Sequence, residues 1–408
     1  MLRLRSLCAV ASTFAVIGFV APGSANAAAP AVQNPYYDAF YAQPASLASV
    51  PNGTVLQARP VSLYTSNQVA LGLTAYQVKY RSQDSLGKPV ADVTTVILPQ
   101  RAAPGPVPVL SYQVAEDSLG LQCAPSYALR TGSTTVSGSE EFLMMLALAQ
   151  GWVLSVPDYE GPNSQYTAGV QAGHAVLDGI RATERFAASG ATSASKVGLW
   201  GYSGGGQATA WAGELQGSYA PELNLVGIAE GGVPSDIGAT IARTDGTPLA
   251  GEELGSVIGL SRAYPSASLG PYLTDTGKTA VMKAAILCNA DLLATFANAN
   301  LDDYMSVPDS IDLPQFSAVL DAVAAGQNAP VAPVYAYHEV NDELIPVAQS
   351  DALQAWYCSQ GVADYYVRIA SGTHVQGLLG GANAALYWLS DRFAGKAPVS
   401  NCASTRSL

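Results

Sequence analysis

The sequence predicts an α/β fold in which a mostly parallel β-sheet is covered on both faces by helices. Runs with the composition of strands alternate with runs of helical spacing, which is the pattern of a parallel sheet with crossover helices. Of the 408 residues, 49% are hydrophobic and only 12% are charged, so the chain can fill a large core. The alternation stops at about residue 233 and resumes after residue 330, which predicts a mainly helical insertion into this α/β domain.

The first part of the chain supplies the alternating elements. A hairpin is predicted from strands at 71–84 and 90–99, which flank the turn sequence SLGKP. Further strands are predicted at 107–113, 152–159, 195–203 and 223–232. Helices are predicted at 139–151, 168–189 and 204–216.

Three elements are predicted after the insertion, namely strands at 332–340 and 364–374 and a closing helix at 381–393. We therefore assign residues 28–232 and 331–408 to the α/β core. Residues 233–330 are assigned to a helical cap, or lid, that packs over one end of the sheet.

The first 27 residues have the layout of a secretory signal peptide. A basic start, MLRLR, precedes the apolar run SLCAVASTFAVIGFV, and small residues ending in Ala25-Asn26-Ala27 follow it. The alternative is a membrane anchor, but the run is short for a bilayer span of about 20 residues. We therefore predict cleavage after Ala27 and an exported protein without a transmembrane segment.

The charge and the cysteine content of the chain bear on nucleic-acid binding, metal binding and disulfide formation. The net charge is −12 and no stripe of Lys and Arg is present, so nucleic acid is not expected to bind. The four cysteines outside the predicted signal peptide form no C-x-x-C pair and the chain has only three histidines, so a zinc site is not expected. No other metal and no cofactor are predicted. An even count in an exported chain predicts two disulfides with three possible connectivities, of which Cys358 with Cys402 is the simplest first pair.

A candidate nucleophile lies in the stretch Gly201-Tyr202-Ser203-Gly204-Gly205, which matches the pattern G-x-S-x-G between a predicted strand and a predicted helix. At so sharp a turn the serine takes strained backbone angles, and only small flanking residues fit between the packed elements. The N–H groups of the following helix favour a developing oxyanion. The alternative is a glycine-rich corner without a catalytic role.

A serine nucleophile needs a base and an acid that orients the base. Only His338 and His374 follow Ser203, and His374 lies in a loop just after the last predicted strand, where it can return over the serine. His338 lies within its strand and is interpreted as structural or supporting, and His174, in mid-helix, as a packing residue.

The candidate acid is Asp342, which falls in the loop just past a strand end, where the catalytic residues of open sheets gather. Its neighbours Glu339 and Glu343 are expected to be solvated. The chain order Ser, Asp, His is also the order of this type of site.

Several longer stretches are characteristic of a known family, among them SYQVAEDSLGLQCAPSYAL, PDYEGPNSQYTAGVQAGHAVLDGIRA and YHEVNDELIP. Together with GYSGGGQATAWAGEL they resemble the secretory lipase family typified by Candida antarctica lipase A, over nearly the whole chain after the signal peptide. The resemblance implies an α/β-hydrolase fold with a helical cap, acting on carboxylic esters and triacylglycerols. We expect a lipid or small-ester substrate, and a lipid–water interface and bulk solution remain alternatives as the place of reaction.

Transferred residue by residue, the resemblance makes Ser203 the nucleophile, Asp342 the acid and His374 the base. It makes the main-chain N–H groups of Asp117 and Gly204 the oxyanion donors, and it implies the bridges Cys123–Cys288 and Cys358–Cys402. A short-chain carboxylesterase, an acyltransferase or a peptidase of the same fold remain alternatives. From a different class, a catalytically silent binding protein also remains, although such proteins usually lose the serine or the histidine.

Overall fold

The computed structural model describes residues 31–103 and 105–405, so the signal peptide predicted at 1–27 lies outside the described residues. Within them the chain forms one sheet of nine strands. The strands are β1 (Val55–Val61), β2 (Ala75–Gln83), β3 (Pro89–Ile97), β4 (Val109–Gln113), β5 (Val153–Pro157), β6 (Val197–Tyr202), β7 (Leu225–Gly231), β8 (Val334–Glu339) and β9 (Asp364–Ile369).

Twelve α-helices accompany the sheet in the same described ranges. They are α1 (Pro125–Thr131), α2 (Gly138–Ala149), α3 (Gly169–Arg185), α4 (Gly204–Tyr219), α5 (Ile237–Thr244), α6 (Ala250–Ala263), α7 (Asp275–Ala284), α8 (Asn289–Phe296), α9 (Pro314–Val323), α10 (Val347–Ser359), α11 (His374–Phe393) and α12 (Cys402–Thr405). None of the helices described combines the length and the hydrophobicity that crossing a membrane requires.

The sheet is mostly parallel, as predicted. Its spatial order is β1-β2-β3-β5-β4-β6-β7-β8-β9. The strands β1, β2 and β3 run antiparallel to their neighbours. The other six strands, β4 to β9, run parallel to one another. Parallel strands bring their carboxyl ends to one edge of the sheet, so the segments that follow β4, β6 and β8 meet there.

Helices cover both faces of the sheet, and successive strand residues contribute to opposite cores. In β6, Leu199 packs with α3 and α4, whereas Trp200 packs with α2 and α11 on the other face. Both side chains are fully buried. This alternation is the period-2 pattern of a strand that is covered on both sides.

The helices α1, α10 and α12 were not predicted from the sequence, and two further elements differ from the prediction. The edge strand β1 was not predicted, because half-exposed polar residues and Pro60 interrupt its apolar pattern. The last helix begins at His374 rather than at residue 381, because three glycines lower the helix propensity of its first turns. A Cβ on Gly377 would overlap the Tyr202 hydroxyl and one on Gly381 would overlap the Tyr337 ring, so these glycines let α11 pack closely on the sheet.

The stretch between β7 and β8, which the structure describes completely, contains the helices α5 to α9 and no β-strand. Its apolar side chains form a cluster of their own, centred on residues such as Ile258, Leu292 and Phe316. Leu119 and Tyr166 join this cluster from loops of the sheet domain, so the inserted helices pack over the edge at which β4 and β5 end.

Both disulfides that the resemblance implies are present. The Cys123–Cys288 bridge ties the loop before α1 to the start of α8, and the Cys358–Cys402 bridge ties the end of α10 to α12. In a chain-entropy account, closing the 44-residue separation of the second bridge stabilises the fold by about 4 kcal/mol.

A buried carboxylate anchors the return of the chain from the inserted helices to β8. Glu214 on α4 accepts the main-chain N–H groups of Gly326, Gln327 and Asn328 at 2.6, 2.8 and 3.0 Å. It also accepts the Tyr357 hydroxyl at 2.8 Å. Burial raises the pKa of Glu214, and these hydrogen bonds oppose the rise.

We predict that Glu214→Gln lowers the free energy of unfolding by about 2 kcal/mol, because an amide NH₂ group replaces one acceptor and faces backbone donors. Urea denaturation measures the change. Asp321→Asn, the same change from carboxylate to amide at an exposed position of α9, is the matched control. Its free energy of unfolding is expected to stay within about 0.5 kcal/mol of the wild type. Equal stability of Glu214→Gln and the control contradicts the anchoring role.

Candidate active site

Ser203 lies on the sharp turn between β6 and α4 that the sequence predicts. Its φ of 57° and ψ of −127° are strained for a residue with a side chain. The turn is held by the Ser203 N–H, which donates to the Gly231 carbonyl at 2.9 Å. A Cβ on Gly201 would overlap the Gly205 carbonyl, and one on Gly205 would overlap the Gln113 carbonyl. Glycine is therefore required at both flanking positions.

The structure brings Ser203, His374 and Asp342 into one hydrogen-bonded chain. His374 Nε2 lies 2.7 Å from Ser203 Oγ, and His374 Nδ1 lies 2.6 Å from Asp342 Oδ2. All three residues are less than one-tenth exposed. Because a carboxylate only accepts, Nδ1 of a neutral imidazole carries the proton, and Nε2 is left to accept the serine hydroxyl.

Asp342 lies three residues beyond β8 and is held as an anion. Its Oδ1 accepts the N–H groups of Leu344 and Ile345 at 2.9 and 2.7 Å. Burial alone raises the pKa of Asp342, but hydrogen bonds from His338 and His374, together with the charge that His374 can carry, hold it well below its usual value. The carboxylate is therefore ionised throughout the neutral range.

His338 supports the acid rather than the serine. Its Nε2 lies 2.9 Å from the Ile345 carbonyl and 3.1 Å from Asp342 Oδ2. Both are acceptors, so Nε2 carries a proton, and Nδ1 is left to accept the Ser350 hydroxyl at 2.7 Å. This agrees with the structural or supporting role inferred from the sequence. His174, on α3, packs against the Tyr219 ring at a centroid distance of 4.2 Å.

Three residues near His374 have contacts that the sequence did not predict. The Tyr202 hydroxyl donates to the His374 carbonyl at 2.6 Å, and Glu343 accepts the His374 N–H at 3.0 Å, although Glu343 itself is exposed as expected. Glu339 was expected to be solvated, and this is wrong, because the residue is only 1% exposed. The glycine-rich loop and first turn of α11 close over it, with Gly372 and Gly377 in contact with its side chain.

The loop after β4 places Asp117 against the start of α4. Asp117 has a φ of 44°, and its N–H has no hydrogen-bond acceptor among the described residues. Gly204 is the first residue of α4, so its N–H has no acceptor within the helix. A Cβ on Gly204 would overlap Asp117 Oδ1, so the two residues are in contact. Asn289 of α8 holds this loop by donating to the Asp117 carbonyl at 3.3 Å.

A cavity of about 430 Å³ opens above Ser203 and His374. Its walls come from the loop at 133–137, from α8 and from the start of α11, and they include the apolar side chains Leu293, Leu344 and Leu378. Its charged lining consists of acids (Asp117, Glu140, Glu252, Asp291, Glu343) and, among the described residues, no Lys or Arg. A volume of this size suits a small or medium organic ligand.

Metal-like ligand spacing occurs elsewhere in the described residues. Cys358, Asp364 and Cys402 lie close enough together to hold an ion, but both cysteines belong to the disulfide. No such group of described residues lines the cavity at Ser203.

Comparisons with known proteins identify relatives that are similar over most of the chain. Lipase A of Arthroderma benhamiae is 39% identical over 403 residues, which cover 94% of this chain and 84% of the relative. A Mycobacterium tuberculosis protein named a probable inactive lipase is 38% identical over 370 residues, or 89% of this chain and 83% of the relative.

Among solved structures, Candida antarctica lipase A in its closed state superposes with a TM-score of 0.86 at 30% identity, covering 91% of this chain and 89% of that chain. The fold is accordingly that of the α/β-hydrolases. A family model described as secretory lipase matches residues 128–401. With that match and with relatives similar over most of its length, the chain belongs to the secretory lipase family.

Proposed function

We propose that this chain is a secreted serine hydrolase that cleaves the carboxylic esters of lipids, including triacylglycerols. The observation that carries the proposal is the hydrogen-bonded chain from Ser203 Oγ through His374 to Asp342. Such a chain is what a serine needs to act as a nucleophile, because the base must accept from the hydroxyl and the acid must fix the base in one tautomer.

In the proposed reaction, Ser203 Oγ attacks the ester carbonyl and His374 Nε2 takes the serine proton. Asp342 stabilises the imidazolium that forms. The main-chain N–H groups of Gly204 and Asp117 donate to the oxyanion of the tetrahedral intermediate. Donors of this kind typically contribute about 10²–10³ each to the rate.

The intermediate then collapses to an acyl-enzyme. The imidazolium of His374 gives its proton to the leaving alcohol, and a water molecule replaces the alcohol. His374 takes a proton from this water as it attacks the acyl carbonyl, and the fatty acid leaves as Ser203 regains its proton. Each bond that forms is matched by one that breaks, and no cofactor is required.

The cavity and the inserted helices support an acyl chain as the ligand. We propose that residues 233–330 form a cap whose helix α8 provides part of the wall of the acyl site. Leu293 on α8 and Leu344 and Leu378 of the sheet domain give this wall an apolar character. Burying the methylene groups of an acyl chain against it stabilises the complex by about 0.8 kcal/mol per group.

The competing functions differ in what they require of these residues. One competing function is that of a catalytically silent binding protein, and the Mycobacterium tuberculosis relative is named a probable inactive lipase. Such a protein needs no hydrogen bond between Ser203 and His374, yet this chain has one of 2.7 Å. A short-chain esterase or an acyltransferase shares the serine and differs in its acyl site or in its exclusion of water. Product analysis and the acyl-length profile separate these from a triacylglycerol lipase.

Export is the localisation we propose. The predicted signal peptide at residues 1–27, the two disulfides and membership of the secretory lipase family support it. Recovery of a mature chain that begins at residue 28 from the culture medium tests it.

We predict that Ser203→Ala lowers kcat on p-nitrophenyl esters by about 10⁶-fold, because the nucleophile is lost. Esters from acetate to palmitate, with emulsified tributyrin and triolein, measure both activity and chain-length preference. Ser218→Ala, at the exposed far end of α4, is the matched control and keeps full activity. An active Ser203→Ala protein contradicts the mechanism, and a wild type without activity on any ester contradicts the function.

We predict that Asp342→Asn lowers kcat by about 10⁴-fold, as in other enzymes with this arrangement, because the amide favours the wrong imidazole tautomer. Glu343→Gln is the comparison, since Glu343 accepts the main-chain N–H of His374, not its imidazole, and a Gln oxygen can still accept it. Its loss is expected to stay below about tenfold. Equal losses in the two variants, at unchanged thermal midpoints, contradict the assignment of Asp342 as the acid.

We predict that Leu293→Trp shifts preference from palmitate to butyrate esters, because the larger ring fills the cavity. The measured quantity is the ratio of kcat/KM for the two substrates. Leu86→Trp, in the exposed turn between β2 and β3, introduces the same ring outside the cavity and leaves the ratio unchanged. An unchanged ratio in a folded Leu293→Trp protein shows that acyl chains bind elsewhere.

A further inference from the structure

The side chain of Asp117 has no role in the mechanism above, which uses only its main-chain N–H. The carboxyl group is buried, and it lines the cavity together with Ser203. It lies against the Cα of Gly204, the position whose N–H is the other proposed oxyanion donor. Its Oδ1 has no hydrogen-bond partner among the described residues. Burying an ionised carboxyl group whose oxygen has no partner is costly, so these surroundings favour the neutral acid.

The surroundings of this carboxyl group are acidic on every side. Glu116 precedes it in the same loop, Glu160 follows β5, Glu140 lies on α2 and Glu252 lies on α6 of the inserted helices. Burial first, and then the charges of Glu252 and Glu140, raise the pKa of Asp117 well above its usual value. The pKa values of Glu116, Glu160 and Glu252 are raised as well, with burial as the largest cause.

Among the described residues, no Lys or Arg forms an ion pair with the acids of this cluster, although the charge of Arg262 lowers the pKa of Glu160. The guanidinium of Arg262, on the side of Glu160, donates to four main-chain carbonyl groups. Tyr159 accepts the Glu116 N–H at 3.2 Å, and Tyr166 donates to Glu252 at 2.7 Å. The other titratable groups that line the cavity are Tyr202, Asp291, Glu343 and His374. Of these only His374 can carry a positive charge, and it is hydrogen-bonded to Asp342 and Ser203. An ionised Asp117 would therefore place an unbalanced negative charge beside a developing oxyanion.

We propose that the Asp117 carboxyl group is a catalytic residue that stays neutral and donates its O–H to the substrate's carbonyl oxygen. It then acts as a third oxyanion donor beside the N–H groups of Gly204 and Asp117. The hydrogen bond strengthens as the carbonyl oxygen becomes negative, so it favours the transition state over the ground state. The proton remains on Asp117 throughout, so the step needs no co-reactant. The inference rests on the proposed ester hydrolysis.

The proposal has a definite pH dependence. Asp117 is neutral and able to donate at every pH below its raised pKa. As pH rises through that pKa the carboxyl group ionises, the donor is lost and a negative charge appears in its place. The kcat/KM for esters therefore falls on the alkaline side because of a carboxyl group, with the protein still folded.

Two substitutions at Asp117 test this, and both suit its positive φ. Asn keeps a hydrogen-bond donor and does not titrate, whereas Gly removes the donor and keeps the main-chain N–H. For p-nitrophenyl butyrate we expect Asp117→Gly to lose about 10²-fold in kcat. We expect Asp117→Asn to stay within about tenfold of the wild type at neutral pH and to lack the alkaline decline.

Glu252→Gln is the matched control for charge in the same cluster. It keeps the Asp117 carboxyl group, so the alkaline decline persists, and the decline moves to lower pH because the charge of Glu252 no longer raises the Asp117 pKa. Thermal midpoints measured at each pH separate loss of donation from unfolding. If Asp117→Gly does not fold, the pH profile of Asp117→Asn decides alone.

The outcomes separate this inference from the proposed function. Equal kcat values for the Asn and Gly variants, or a wild-type alkaline decline in Asp117→Asn, overturn the role of the carboxyl group while Ser203→Ala remains inactive. A wild type without esterase activity, or an active Ser203→Ala protein, overturns the proposed function itself.

Discussion

The candidate site depends on the hydrogen bond between His374 and Ser203, whose residues are 171 positions apart in the chain. Two features of the fold make this contact possible. The parallel strands β6 and β8 end at the same edge of the sheet, which brings the serine turn and the Asp342 loop together. The glycines of α11 then let that helix start directly above them, with His374 as its first residue. The backbone strain at Ser203 costs free energy locally, and the close packing of the flanking glycines holds the backbone in this conformation.

The inserted helices are not a passive cover, because they also hold the loop that carries Asp117. The Cys123–Cys288 bridge joins that loop to the start of α8, and Asn289 contacts the Asp117 carbonyl. At the other end of the insertion, the carboxylate of Glu214 fixes the chain where it returns to β8. The inserted helices are therefore linked to the loop beside the nucleophile and also form part of the cavity wall.

Much of this arrangement follows from the sequence. The alternation of strand and helix patterns predicts the parallel sheet, and sterics explain why glycines flank Ser203. What the sequence hides is tertiary packing. Glu339 reads as a solvated acid but is buried under α11, and the glycines that allow this also concealed the first turns of that helix. Local patterns also cannot identify which buried acids cluster, because Asp117 and Glu252 are brought together only by the fold of the inserted helices.

Covalent labelling shows whether the fold activates a single serine hydroxyl. A fluorophosphonate ester reacts with serines that have an activated hydroxyl, and mass spectrometry of the digested protein locates the adduct. We expect one adduct, on the peptide that contains Ser203, with labelling abolished by heat denaturation and by Asp342→Asn. A folded protein that remains unlabelled, or one labelled at a different serine, would contradict this expectation.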